Sequence, residues 1–173
     1  MKQLTTEQVY LLKEVMAGKQ PLHALLEKMD NEINVEFCLN LLLDAKVIGD
    51  TAIFRDVLWA FGFVLNAVDA LLLHRMALID DWHEAHEGIV GKFQMIYNQD
   101  AANIPYLKKV MQQVPDYLQD EALKDAFIRK YAYAIAAQPA PYNEEAPREL
   151  SQSDDEVIKK YALHQLVKNG FYA

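Results

Sequence analysis

Apolar side chains recur at three- and four-residue spacing along nearly the whole chain, and no stretch sustains the period-two alternation of a half-buried strand. The punctuation between these runs is that of helix ends. Thr5 and Gln8 stand at capping-box spacing, ahead of Val9, Leu12, Val15 and Met16 on one face, and Gly18 sits where a helix terminates. Pro21 can open a second helix through Leu22, Leu25, Leu26 and Met29. Asn34 caps a third, carrying Phe37, Leu41, Leu42 and Ala45 and ending at Gly49. Asp50 and Thr51 start about thirty residues of continuous helical pattern. That is long for one helix of a compact domain, so a break is expected between Gly62 and Asn66.

Asp80 and Asp81 read as the start of the next helix, with Ile89, Phe93, Ile96 and Tyr97 on its apolar face. Asn98-Gln99-Asp100 ends it and leads into a helix through Ile104, Leu107, Val110 and Met111, which Pro115 stops. A longer helix spans Glu121 to Ala137, and Gln138-Pro139-Ala140-Pro141 is the clearest loop. A short helix follows over Glu144 to Leu150. The last one starts from a Ser153/Glu156 capping box, presents Val157, Ile158, Tyr161, Ala162 and Leu166, and ends at Gly170. The expectation is an all-α chain of about nine short helices forming a single domain over residues 1–173. Helix count and periodicity leave a stacked α-solenoid and an irregular helical bundle both open.

One internal similarity bears on that choice. Ile128-Arg129-Lys130-Tyr131-Ala132 recurs thirty residues later as Ile158-Lys159-Lys160-Tyr161-Ala162. In each copy the aliphatic residue and the alanine share a helix face, the alanine leaving room for a neighbouring helix. Asp155, Ile158-Lys159, Ala162 and Leu166 resemble the second half of a HEAT repeat. Asp100 followed by Ile104-Pro105-Tyr106-Leu107 resembles the helix start of such a repeat, where proline is tolerated because its missing N–H falls in the first turn. Asp81-Trp82-His83, His86-Glu87 and Ile89 are similar to the preceding helix in a group of short bacterial HEAT-like proteins that includes immunity proteins of polymorphic toxin systems. The similarity covers roughly residues 80–166. It implies HEAT-like repeats over residues 80–173, with residues 1–79 as divergent N-terminal helices, and a chain that binds another protein.

Composition narrows the function classes. With 52% hydrophobic residues the 173-residue chain can bury a real core, and the disordered, collagen-like and disulfide-scaffold classes do not fit. The formal charge is −8, which argues against nucleic-acid binding through clustered Lys and Arg. Residues 1–98 hold 8 basic and 14 acidic side chains, whereas residues 99–173 hold 9 and 11. Such a surface suits solvent, and equally a basic partner. The most apolar region, Val57 to Ile79, is interrupted by Asn66, Asp69, His74 and Arg75 and reads as buried helix rather than membrane span. The N-terminus enters an amphipathic pattern without the apolar stretch of a signal peptide, so the cytoplasm is the expected compartment. Cys38 is the single cysteine, within the apolar run Val35–Leu39, and reads as an inert buried thiol.

Candidate chemistry is sparse. His83 and His86, with Asp80, Asp81, Glu84 and Glu87, form the densest polar cluster. The histidines are three apart, whereas the zinc-protease helix needs four, and no second Glu-x-x-His pair exists for a di-metal bundle site. Ser151 and Ser153 lie in a polar turn, and the six glycines form no phosphate-cradling loop. Neither an active site nor a cofactor or metal site is expected. The leading reading is an interaction protein, and specifically an immunity protein that occludes a basic toxin domain. Its binding surface is placed at Asp80, Asp81, Trp82, His83, Glu84, His86, Glu87, Tyr117 and Asp120, with Trp82 and Tyr117 as aromatic anchors. Two other readings stay open: a metal-binding helical enzyme or sensor using His83 and His86, and a general scaffold or adaptor.

Overall fold

The structure is a computed structural model that describes residues 4–30, 32–95 and 98–171. Ten α-helices and no strand occur among the described residues. The chain divides into two compact units, Met1–His83 and Glu84–Ala173.

The first unit holds α1 (Thr6–Met16), α2 (Leu22–Leu26), α3 (Val35–Ile48), α4 (Thr51–Gly62) and α5 (Ala67–Leu78). Four of the five begin on a side-chain cap. Thr5 and Gln8 close a reciprocal capping box on α1, while Asn34, Asp50 and Asn66 accept from Phe37, Ile53 and Asp69 backbone N–H groups at 2.9, 2.8 and 3.0 Å. The break expected between Gly62 and Asn66 is therefore present, with Asn66 starting the new helix. Gly49 ends α3 at φ 70°, in the left-handed region where glycine escapes the Cβ penalty. α3 packs on α4 and α5, and α1 on α2 and α4. Leu12, Leu25, Cys38, Phe54, Leu58, Phe61 and Leu73 are fully buried between them. Each large apolar side chain so placed contributes about 1.5–3 kcal/mol. Gln8 adds a polar tie, its Nε2 donating to the Lys28 carbonyl beyond α2 at 2.7 Å.

The second unit holds α6 (His86–Phe93), α7 (Ile104–Gln112), α8 (Glu121–Ala136), α9 (Tyr142–Leu150) and α10 (Glu156–Lys168). α8 is its hub, packed by α6, α7, α9 and α10. Phe93, Leu107, Met111, Phe127, Ile128, Tyr131, Ile135 and Leu166 fill the core. Buried among them is a polar junction. Gln138 donates to the Phe93 and Ala134 carbonyls at 2.9 and 2.7 Å, and its Oε1 accepts from Asp100 N and Asn103 Nδ2 at 3.0 and 2.9 Å. The proline-rich loop expected after α8 thus starts from an anchored residue. It then turns through a cis Ala140–Pro141 bond.

Two expectations need correction. The helix foreseen from Asp80 begins only at His86, because residues 80–85 form a bent connection in which His83 folds back on the end of α5. The last helix is capped by Asp155, which accepts from Val157 and Ile158 N–H groups at 2.9 and 3.2 Å; Ser153 accepts from Asp155 N in the turn before it. The recurring pentads each bury their aliphatic residue and alanine, Ile128 with Ala132 and Ile158 with Ala162, at different distances from the helix start: Ile128 is the eighth residue of α8 and Ile158 the third of α10. Ile96 and Tyr97, assigned to an apolar face from the pattern, lie outside the described residues.

Candidate functional site

The acidic segment around Asp80 straddles the boundary between the units, so its residues fall into separate settings. In the first unit, α5 leaves carbonyls at its C-terminus that no helix continues to satisfy. His83 Nε2 sits 2.8 Å from one of them, Ala77 O, which makes this nitrogen the protonated donor. The imidazole stacks on Phe54 with ring centroids 4.1 Å apart. Trp82 meets Phe54 edge-on at 5.2 Å and donates its indole N–H to Asp80 at 3.2 Å, while Asp80 also pairs with Lys46. Burial pushes the His83 pKa below its ordinary value of 6.5, outweighing the hydrogen bond to Ala77 and the Asp80 charge that act the other way. This is a helix-end lock, and Trp82 is half-buried in it rather than displayed.

In the second unit, His86 opens α6 and lies 3.1 Å through Nδ1 from the Tyr117 hydroxyl, with Phe127 edge-on to its ring. Burial pushes the Tyr117 pKa up to about 12; the hydrogen bond with His86 opposes this, and Glu87 and Glu84 add to it. Glu87 pairs with Lys130 on α8 at 2.7 Å, and Asp120 is the cap of α8, accepting from Ala122 N–H at 3.1 Å.

His83 and His86 are each 1% exposed, so neither ring is presented to a partner, and His83 lies on no helix. Asp81, Glu84, Glu87 and Asp120 are exposed; Asp80, Trp82 and Tyr117 are half-buried. Among the described residues no group of three or more His, Cys, Asp or Glu side chains is placed to hold a metal ion. No helix among them is long and apolar enough to cross a membrane.

Sequence reasoning missed an exposed apolar surface on the first unit. On α3, Leu43 and Val47 are 50% and 68% exposed, on the side of the helix away from its buried stripe Cys38, Leu41, Leu42 and Ala45, and Ile48 at the helix end is 60% exposed. Leu39 and Leu43, together with Met76 and Ala77 of α5, line a groove of about 210 Å³ with Asp80 in its wall. The signal was present in the sequence: α3 is apolar on more of its circumference than one buried face requires. No protein-family model, curated protein or solved structure matches the chain.

Proposed function

We propose that the chain is a protein-binding helical protein whose partner is a basic bacterial toxin domain, neutralised by direct occlusion. The observation that carries the binding reading is the exposed apolar surface of α3 with its groove against α5. Contiguous exposed apolar side chains rimmed by charge mark interaction surfaces on otherwise polar proteins. Asp80 in the groove wall is paired with Lys46, and the exposed Asp81 that follows it supplies negative charge beside the groove. Residues 1–83 carry 7 basic and 12 acidic side chains, a balance that favours a basic partner. The toxin class, and a HEAT-like stacking of the C-terminal helices, rest on the resemblance of residues 80–166.

Co-expression with the product of the adjacent gene tests this reading. Protection of the cell and a stable complex are expected. Leu43→Asp and Asp81→Lys are expected to weaken the complex by about tenfold or more while leaving the melting temperature within a few degrees. Retention of full affinity by both variants moves the surface elsewhere, and absence of any complex removes the toxin reading.

A further inference from the structure

A second feature of the first unit lies outside the apolar groove. Asp44 is on α3 in helical register with Leu41 and Ile48, on a face where an apolar residue would be expected. It is only 6% exposed, and both carboxylate oxygens are buried without a hydrogen bond from any described residue. A carboxylate taken from water without a donor or a cation is among the most costly groups a core can hold. Most buried carboxylates resolve this cost within their own fold; Asp44 has no such partner among the described residues.

The surroundings indicate what would satisfy it. Asp44 lines a pocket of about 90 Å³ whose other walls are Leu4 and Val9 from the α1 side, Leu41 and Ile48 of α3, and Ile53 of α4. Among the described residues these walls are aliphatic, and Asp44 is the one charged group that lines the pocket. About 10–15 Å³ suffices for one water-sized group, so the pocket has room for several such groups. A lysine side chain, four methylenes ending in an ammonium, is of that size. Of the two basic head groups the ammonium is the more compact, a point charge on a flexible four-carbon stem.

We infer that this pocket binds a primary alkylammonium group, its methylene stem against Leu4, Val9, Leu41, Ile48 and Ile53 and its charge against Asp44. The amine comes either as a free small molecule or as a lysine of a bound polypeptide. The inference does not depend on the toxin reading, because its test uses the isolated protein and simple amines.

The experiment is a titration followed by the methyl resonances of Leu41, Ile48 and Ile53. n-Butylammonium is expected to bind saturably with a Kd on the order of 1–10 mM, reasonable for a ligand of five heavy atoms. n-Butanol, of the same shape without the charge, is expected to bind at least about tenfold more weakly. Asp44→Asn is expected to cost butylammonium about tenfold or more, the scale of a charge-assisted hydrogen bond. Ile48→Trp, a change at a largely exposed position, keeps the carboxylate and closes the pocket; it is expected to abolish binding even where Asp44→Asn perturbs folding. A blocked tripeptide with central lysine separates the two sources: binding tighter than butylammonium assigns the site to a polypeptide lysine, and weaker binding assigns it to a free amine. Equal affinity for butanol and butylammonium, or shifts unaffected by both variants, overturns the proposal.

Discussion

His83 shows how a residue that attracts attention in a sequence can be spent on structure. Its ring satisfies the Ala77 carbonyl and stacks on Phe54, contacts made in the neutral form. With the folded pKa depressed below 6.5, the unfolded chain binds more protons than the native one as pH falls through that value. Stability from this residue is complete above about pH 6.5 and declines on acidification. The melting temperature should therefore drop between pH 7 and pH 5, and His83→Gln, which keeps a donor for Ala77, should flatten that slope. Cys38 gives a second test. Burial, reinforced by the Asp69 charge, pushes its pKa to about 12, so the thiolate is scarce near neutrality. Iodoacetamide at pH 8 should leave the native thiol unmodified and alkylate it in denaturant, and rapid alkylation of the native protein would contradict this. The core junction is also a residue-scale matter: Gln138→Ala strands buried groups on three segments and should cost roughly 3 kcal/mol, read from urea unfolding. Cys38 was legible as buried because its neighbours are apolar. The fates of His83 and Gln138 were not, since their partners are fixed by how the chain returns on itself.

At the scale of the element, capping chemistry was the most readable signal. Thr5, Asn34, Asp50 and Gly49 stand where local sequence puts them, because a cap is satisfied by a backbone N–H two or three residues away. Asn66 decides where a thirty-residue pattern divides. Its replacement by Ala should cost about 1 kcal/mol, seen as a lower urea midpoint at unchanged m-value, and Asn66→Gly only a few tenths. Asp80 misled for a physical reason. Carboxylates ahead of apolar residues are equally the mark of a helix start and of a helix end with a polar connection. The contacts of Trp82 and His83 with Phe54, nearly thirty residues earlier, select the second outcome. Asp44 is a case where a careful reading of register would have succeeded: a carboxylate spaced three and four residues from Leu41 and Ile48 falls on the inward side of α3.

At the scale of the whole molecule, helical class was legible and arrangement was not. Periodicity counts faces, whereas stacking depends on which faces meet, and the pentads around Ile128 and Ile158 lie at different distances from their helix starts. The charge of −8 belongs to this scale too. Association with a basic partner should slow about tenfold or more between low and high salt, since long-range steering is screened while apolar contacts in the α3 groove are not. A salt-independent association rate would separate the partner from the acidic surface. Both tryptophans of the chain, Trp59 and Trp82, fall within Met1–His83. Indole emission is consequently an optical label for that unit alone, while far-ultraviolet circular dichroism sums the helices of both. Superimposable denaturation curves from the two signals would mean that the units melt as one cooperative block; separated curves would give each unit its own stability, without any engineered probe.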